Sequence, residues 1–248
     1  MEVASKTDQG KKRDHNEDAC GLMPVYRVYM VADGVGGSNA GEIASKSAIQ
    51  GIARYIQTHA MEGVSNISEV KRYFSACFDQ VNGEILELMS EKPETDGMAT
   101  TIALAYITGG SLYAMNIGDS RVYLYRDGSL RQITVDHTYV NQLLKAGVIT
   151  AGEAAVHEKR HVIMRAVGAD DKVRADYYQA DLQEGDVIVL TTDGLHGEIG
   201  SGGIREELDK HNTMKETCDH LVQRANERGG HDNITVICIK ITEGDLDE

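Results

Sequence analysis

Residues 100–134 read TTIALAYITGGSLYAMNIGDSRVYLYRDGSLRQIT. Four β-rich runs, 100–108, 111–117, 121–125 and 130–134, are separated by Gly109-Gly110, by Gly118-Asp119-Ser120 and by Asp127-Gly128. Connections this short suit hairpins, because Gly and Asp adopt the backbone conformations that tight turns demand. The stretch predicts an antiparallel meander.

Toward the N-terminus, Val70, Phe74, Cys77, Val81, Ile85 and Leu88 recur every three or four residues. That spacing places one apolar stripe on a long helix, with Ser68 expected to cap its start. Ala48, Ile49, Ile52 and Ile56 give a second helix, expected to begin within 37–42. Beyond the meander, 138–156 reads as a polar, helical surface excursion. Strand signals return at 175–180 and 186–191. A helix over 213–228 carries Cys218, Leu221, Val222 and Ala225 on one face, and a strand over 233–241 closes the chain. Helices do not alternate with strands, which disfavours a doubly wound parallel sheet. The expected fold is α+β, with helices layered on antiparallel sheets. No linker or internal repeat is visible, so residues 1–242 read as one domain. The acidic tail 243–248, EGDLDE, is expected to fray.

The chain has 248 residues and 41% hydrophobic content, enough for a sizeable core. Its 39 acidic and 25 basic residues give a formal charge of −14. Such a surface repels nucleic acid and anionic membranes, whose binding needs an excess of Lys and Arg. No apolar run approaches the roughly 20 residues of a membrane helix. Cys20, Cys77, Cys218 and Cys238 form no CxxC pair, and no secretory leader is read. Reduced, buried thiols in a cytoplasmic protein are expected.

Acidic residues gather at turns. Val28–Ala32 is an apolar run that ends on Asp33 and the glycine-rich Gly34–Gly37. Glu17-Asp18, Asp119, Asp193-Gly194 and Asp232-Asn233 stand at other strand ends. One Asp at a strand end is an ordinary turn residue. Five acidic turns in a layered sheet can instead converge, and converging carboxylates repel unless a cation neutralises them. Carboxylate, carbonyl and water ligands suit Mg²⁺ or Mn²⁺. The rival motifs fail. Gly34–Gly41 lacks the Gly-Lys-Ser/Thr ending of a P-loop, and the third glycine of GxGxxG falls on Asn39. No zinc-type His/Cys spacing and no GxSxG elbow occurs. The glycines are read as letting the backbone approach a metal, with the Gly34 carbonyl as a ligand.

Together these motifs resemble the PPM, or type 2C, family of metal-dependent Ser/Thr protein phosphatases, above all its compact bacterial members. The resemblance rests on Gly10–Arg13 with Asn16–Asp18, Val31–Gly37, Ala99–Thr101, Asn116–Arg121, Asp136-His137, Arg165–Gly168, Thr192–Leu195 and Gly230–Thr235, in that order. It spans Thr7 to Ile241. It implies a β-sandwich of two antiparallel sheets flanked by helix pairs, with two Mn²⁺ or Mg²⁺ ions at one end and a weaker third.

The resemblance also implies roles. Asp33 bridges the two ions. The Gly34 carbonyl, Asp193 and Asp232 complete the direct ligands, and Glu17 and Asp18 assist directly or through water. Asp119 supports the third ion, and Arg13 grips the substrate phosphate. Asp33, Asp193, Asp232 and Arg13 form the catalytic set. Residues 137–165 match a flap beside the site. Two ions about 3.5–4 Å apart would activate a bridging water for direct in-line attack on phosphoserine or phosphothreonine, with no phosphoenzyme. The implied partners are phosphorylated proteins and a cognate Ser/Thr kinase, and the protein is read as a cytoplasmic monomer.

One position departs from the pattern. Many eukaryotic relatives carry His two residues after the bridging Asp, and this chain has Val35. His137, His157 and His161 are read as exposed flap residues, and His196 is given no role. A catalytically silent phosphoprotein-binding relative is the alternative, and it should have lost a ligand. A phosphatase devoted to one phosphorylated regulator is a third reading.

Overall fold

The computed structural model describes residues 1–37 and 40–246. In chain order, β1 (Glu2–Asp8) and β2 (Asp18–Met23) lead into β3 (Val28–Val35), then α1 (Ala40–Thr58) and α2 (Ile67–Glu91). The meander comprises β4 (Ala99–Thr100), β5 (Ile102–Thr108), β6 (Ser111–Ile117), β7 (Arg121–Arg126) and β8 (Ser129–Gln132). The excursion carries α3 (Tyr139–Lys145) and α4 (Ala151–Val156). Then come β9 (Asp176–Asp181), β10 (Val187–Thr191), α5 (Asp193–Leu208), α6 (Met214–Arg228) and β11 (Ile234–Lys240).

The strands form two sheets. One has the order β1-β11-β10-β7-β8. The other runs β2-β3-β5-β6-β9, with β4 paired to β3. Every pairing is antiparallel. The expected α+β class is thus observed. The expected single meander is instead two hairpins, β5–β6 in one sheet and β7–β8 in the other: the chain crosses between the sheets after β6, so the turn holding Asp119 lies at an end of the sandwich.

Three apolar layers hold the sheets and helices together. From α1 and α2, Ile52, Phe74 and Phe78 pack with Met30 and Leu104. Between the sheets, Tyr29 and Val31 pack with Leu124, Ile188 and Ile237. From α5 and α6, Leu195 and Leu221 pack with Tyr123 and Val236. Both faces of the central strands are covered, so their sequences read as continuous apolar runs. Truncating the fully buried Phe74 to Ala would cost about 3–5 kcal/mol in lost burial and cavity formation.

Alternation along β3 directs the site. Val28, Met30 and Ala32 belong to the helix-facing layer, and Tyr29 and Val31 to the layer between the sheets. Asp33 shares the parity of Tyr29 and Val31, because successive strand side chains take opposite faces. It therefore stands at the end of the inter-sheet space.

Several expectations need correction. Asn66, not Ser68, caps α2: its Oδ1 accepts from the Ser68 and Glu69 amides, each at 3.1 Å. The strand β8 stops at Gln132 because the Thr134 hydroxyl accepts the Val122 amide in place of a backbone carbonyl. β2 begins at Asp18, at the strand end where Glu17-Asp18 is expected, whereas β1 and α5 carry no sequence signal of their own. α5 contains five glycines and breaks helical geometry at Gly200 (φ 62°, ψ 173°), so propensity alone does not announce it. The tail is not simply frayed. Asp245 is buried, and its carboxylate meets the Met1 ammonium at 2.6 Å and the Thr242 hydroxyl at 2.6 Å. Asp247 and Glu248, the rest of that tail, lie outside the described residues, as do Ser38 and Asn39.

Candidate metal centre

Asp33 is held by its backbone. Its amide donates to Thr101 Oγ1, and its carbonyl accepts from Thr101 N and Thr100 Oγ1, each at 2.9 Å. Asp18 lies directly opposite Asp33 in the β2–β3 register. One Asp18 oxygen, Oδ2, accepts from Thr192 Oγ1 at 2.8 Å, while the buried Oδ1 has no donor among the described residues. Burial pushes Asp18 up to about 7, with the nearby Asp193 adding to the shift. Burial, and then the charge of Asp18, raises Asp33 well above the usual carboxylate range.

Asp193 opens α5, where a helix N-terminus favours negative charge. Thr192 precedes it as the cap residue but gives no side-chain bond to the helix, since its hydroxyl goes to Asp18 and accepts from Thr235 N. Burial, reinforced by Asp232, raises Asp193, and its Oδ1 is another buried oxygen without a donor. Gly194 lets this turn touch the Asp232-Asn233 turn: a Cβ there would lie 2.0 Å from the Asn233 carbonyl. Asp232 Oδ2 receives Arg13 Nη2 at 2.7 Å, and its Oδ1 accepts the Asn233 amide at 2.8 Å.

Gly34 and Glu17 meet at the start of α1. A Cβ on Gly34 would lie 1.9 Å from the Gly41 carbonyl, so helix packing already requires glycine there. A Cβ on Gly41 would stand 2.7 Å from Gly34 O and 2.8 Å from Glu17 Oε1. The two oxygens thus flank one small space that any other residue at position 41 would fill. Asn233 positions this corner. Its Oδ1 accepts Glu17 N at 2.8 Å, and its Nδ2 donates to Gln9 O and His15 O at 2.8 and 2.9 Å. Burial raises Glu17 as well.

Asp119 occupies the turn between the sheets. Burial, then Asp193 and Asp136, pushes it up to about 7. His196 Nε2 lies 3.1 Å from the Asp119 carbonyl, and burial keeps this imidazole well below its ordinary value. Arg121 grips Asp136 through three contacts of 2.6–3.0 Å. His137 is buried, contrary to its reading as an exposed flap residue. Its backbone amide donates to Gly118 O at 2.9 Å, and its Nδ1 accepts Gly118 N at 3.1 Å. His161 is exposed, as expected. The flap is closed at its base by the Thr138–Ile163 bridge.

Arg13, Glu17, Asp33, Gly34, Asp119, Asp193 and Asp232 all line one cleft of about 1080 Å³. Asp18 does not line it and stands behind Asp33, buried against Thr192. Among the described residues, no three His, Cys, Asp or Glu side chains are grouped so that they could hold a metal ion. The Asp232 oxygens are engaged by Arg13 and by the Asn233 amide. The donor set nevertheless fits a hard cation. It offers the Gly34/Glu17 space and the unpartnered Asp193 oxygen, and Mg²⁺ or Mn²⁺ sites of this kind retain several waters.

Residues 8–236 match the family described as Protein phosphatase 2C. The chain belongs to the protein phosphatase 2C family. Among 2C-type relatives, the protein phosphatase PhpP of Streptococcus pneumoniae is 35% identical, with 100% of each chain covered. Serine/threonine phosphatase Stp1 of Staphylococcus aureus has the same fold, with a TM-score of 0.89, 31% identity and coverage of 97% of this chain and 95% of that one. The catalytic domain of PstP, a serine/threonine phosphatase solved with two manganese ions, gives a TM-score of 0.83 at 32% identity, covering 97% of this chain and 98% of that one.

Within this 2C frame, sequence reasoning missed the supporting residues. Thr192 and Asn233 lie inside quoted motifs, but only the folded contacts show that they orient Asp18 and Glu17. His196 gave no sequence signal beyond following Asp-Gly-Leu. Val35 lines the cleft and is exposed, and its side chain offers no proton donor there.

Proposed function

We propose that this chain is a metal-dependent protein phosphatase that hydrolyses phosphoserine and phosphothreonine monoesters on proteins, opposing a Ser/Thr kinase in the cytoplasm as a monomer. Its class, protein-serine/threonine phosphatase, follows from its family and its full-length relatives. The observation that carries the metal reading is the convergence of Asp33, Asp193, Asp232, Glu17 and the Gly34 carbonyl on one cleft beside Arg13.

The residues divide the work. Asp33, Asp193, Asp232 and Gly34 O would hold two Mn²⁺ or Mg²⁺ ions, with Glu17 and Asp18 supporting them and Asp119 holding a third. Such ions, when bound, lower the pKa of water and neutralise charge developing on the phosphoryl group. Arg13 would hold two phosphate oxygens with its planar fork, which Lys cannot reproduce. Thr100, Thr101 and Thr192 keep the carboxylates in place. Direct hydrolysis needs no protein nucleophile. Val35 supplies no proton to the leaving hydroxyl.

Phosphate release from phosphoserine and phosphothreonine peptides tests this reading, with Mn²⁺, with chelator, and in Asp33→Asn. Turnover should need metal and fall by on the order of 10³-fold in the variant. Turnover that survives both treatments would remove the metal assignment.

A further inference from the structure

Besides Arg13, Arg160 lines the cleft, and two further cations, Lys11 and Lys12, directly precede Arg13 on the loop between β1 and β2. All three are exposed, and none has an ion-pair partner among the described residues. Elsewhere Lys6, Arg54, Arg126 and Arg224 are each neutralised by a carboxylate, while Lys71, Arg72, Lys92 and Lys145, away from the cleft, have no ion pair among the described residues either; what sets the three apart is their place beside Arg13 and the cleft. Lys159 is also spoken for, with its ammonium 5.6 Å from the Tyr139 ring centroid.

The Lys11-Lys12 loop is fixed against the site. The Lys11 and Lys12 amides both donate to Gly230 O, at 2.8 and 3.2 Å. Gly10, at φ +77°, packs so tightly that a Cβ would lie 2.2 Å from the Asp232 carbonyl. These side chains therefore start from a backbone braced on the turn that delivers Asp232. Of the acidic residues lining the cleft, Asp232 is paired with Arg13, Glu198 with His231 and Asp136 with Arg121, while Glu17, Asp33, Asp119 and Asp193 have no ion-pair partner among the described residues and belong to the proposed metal centre.

We propose that Lys11, Lys12 and Arg160 select phosphoproteins whose phosphorylated residue is flanked by Asp and Glu. This rests on the phosphatase reading above and adds the substrate class to it. The net charge of −14 does not oppose it at close range. Charges further than about 8 Å away are largely screened at physiological salt, so the local rim governs a docked peptide. Each exposed pair contributes little alone, and three acting together discriminate by about tenfold.

The test uses the full chain with Mn²⁺ and one phosphothreonine peptide made with acidic, neutral or basic flanks. Both Kd, from fluorescence anisotropy, and kcat/KM are measured for the wild type and for Lys11→Gln/Lys12→Gln/Arg160→Gln. The expected ratio of acidic to basic peptide is about 10 in the wild type, shrinking in roughly 0.5 M salt. It should approach 1 in the variant. A wild-type ratio near 1, a preference for basic flanks, or a ratio that the variant leaves intact overturns the proposal. The binding ratio decides this even without turnover, whereas loss of turnover on every peptide counts against the phosphatase reading instead.

Discussion

Asp18 and Asp33 face each other as a register pair on β2 and β3, two carboxylates on the same face of one sheet. Among the described residues, neither has a basic side chain as a hydrogen-bond partner, and Asp18 Oδ1 has no donor while Oδ2 accepts from Thr192. Such a pair is unfavourable to ionise without a cation, because burial and like charge both oppose the charged forms.

That relationship fixes how stability should depend on pH. Asp18 and Asp119 are each raised from 3.8 to about 7 in the folded chain. The folded state then binds more protons than the unfolded state between these values. The stability so gained is complete below 3.8 and is lost as pH rises through about 7. Metal-free protein should melt higher at about pH 5 than at about pH 8, and Mn²⁺ should narrow that gap by stabilising the ionised carboxylates. Calorimetry with and without chelator measures both effects. A metal-free melting temperature that climbs across this range contradicts the account.

Gly41→Ala probes the space between Gly34 O and Glu17. Alanine suits a helix better than glycine by about 1 kcal/mol, yet the added methyl would enter the space those oxygens share. The half-saturating Mn²⁺ concentration should rise by about 10–100-fold while circular dichroism stays native. Unchanged Mn²⁺ dependence would separate this corner from metal binding.

Asn233→Ala should act at a distance from the reacting atoms. It removes the acceptor for Glu17 N and two donors that hold the loop containing Gln9 and His15. Turnover should drop by about 10–100-fold through weaker metal binding, and high Mn²⁺ should restore much of it. Failure of excess metal to rescue the variant would assign Asn233 a purely structural part.

Asp119→Ala separates the third ion from the other two. Because Asp119 comes from the turn between β6 and β7, its removal should leave in place the separate turns that carry Asp33, Asp193 and Asp232. Calorimetric titration should then still detect tight Mn²⁺ binding, with kcat reduced by on the order of tenfold or more. Equal kcat in variant and wild type would exclude a catalytic third ion.

Much of this arrangement was legible in the sequence. The β5–β6 and β7–β8 hairpins announced themselves through glycine turns, and α2 through its apolar stripe, but the switch of sheet between the two hairpins did not, since the Gly118-Asp119-Ser120 turn reads like any other short connection. The acidic turns did converge, since Asp33, Asp119, Asp193 and Asp232 line one cleft. Harder to read were elements whose residues do not look like their conformation. β1, EVASKTD, is an edge strand with mixed burial, and its pairing with β11 is entirely non-local. α5 is glycine-rich and is held by packing of Leu195 and Ile204 rather than by propensity. His137 looked like a surface residue because nothing local reveals that Gly118 folds back onto its ring.

Arg13 and Asp232 form an ion pair of 2.7 Å, and among the described residues the guanidinium pairs with no other carboxylate. On the assignments proposed above, one is the grip for phosphate and the other a ligand for metal. Asp232 would then be shared between Arg13 and a cation, and Arg13 would be freer to turn toward the substrate wherever Asp232 held the cation instead. By reciprocity, phosphate engaging Arg13 also favours the cation. Starvation for metal would then leave the enzyme uncoupled from its phosphorylated targets instead of sequestering them in dead-end complexes.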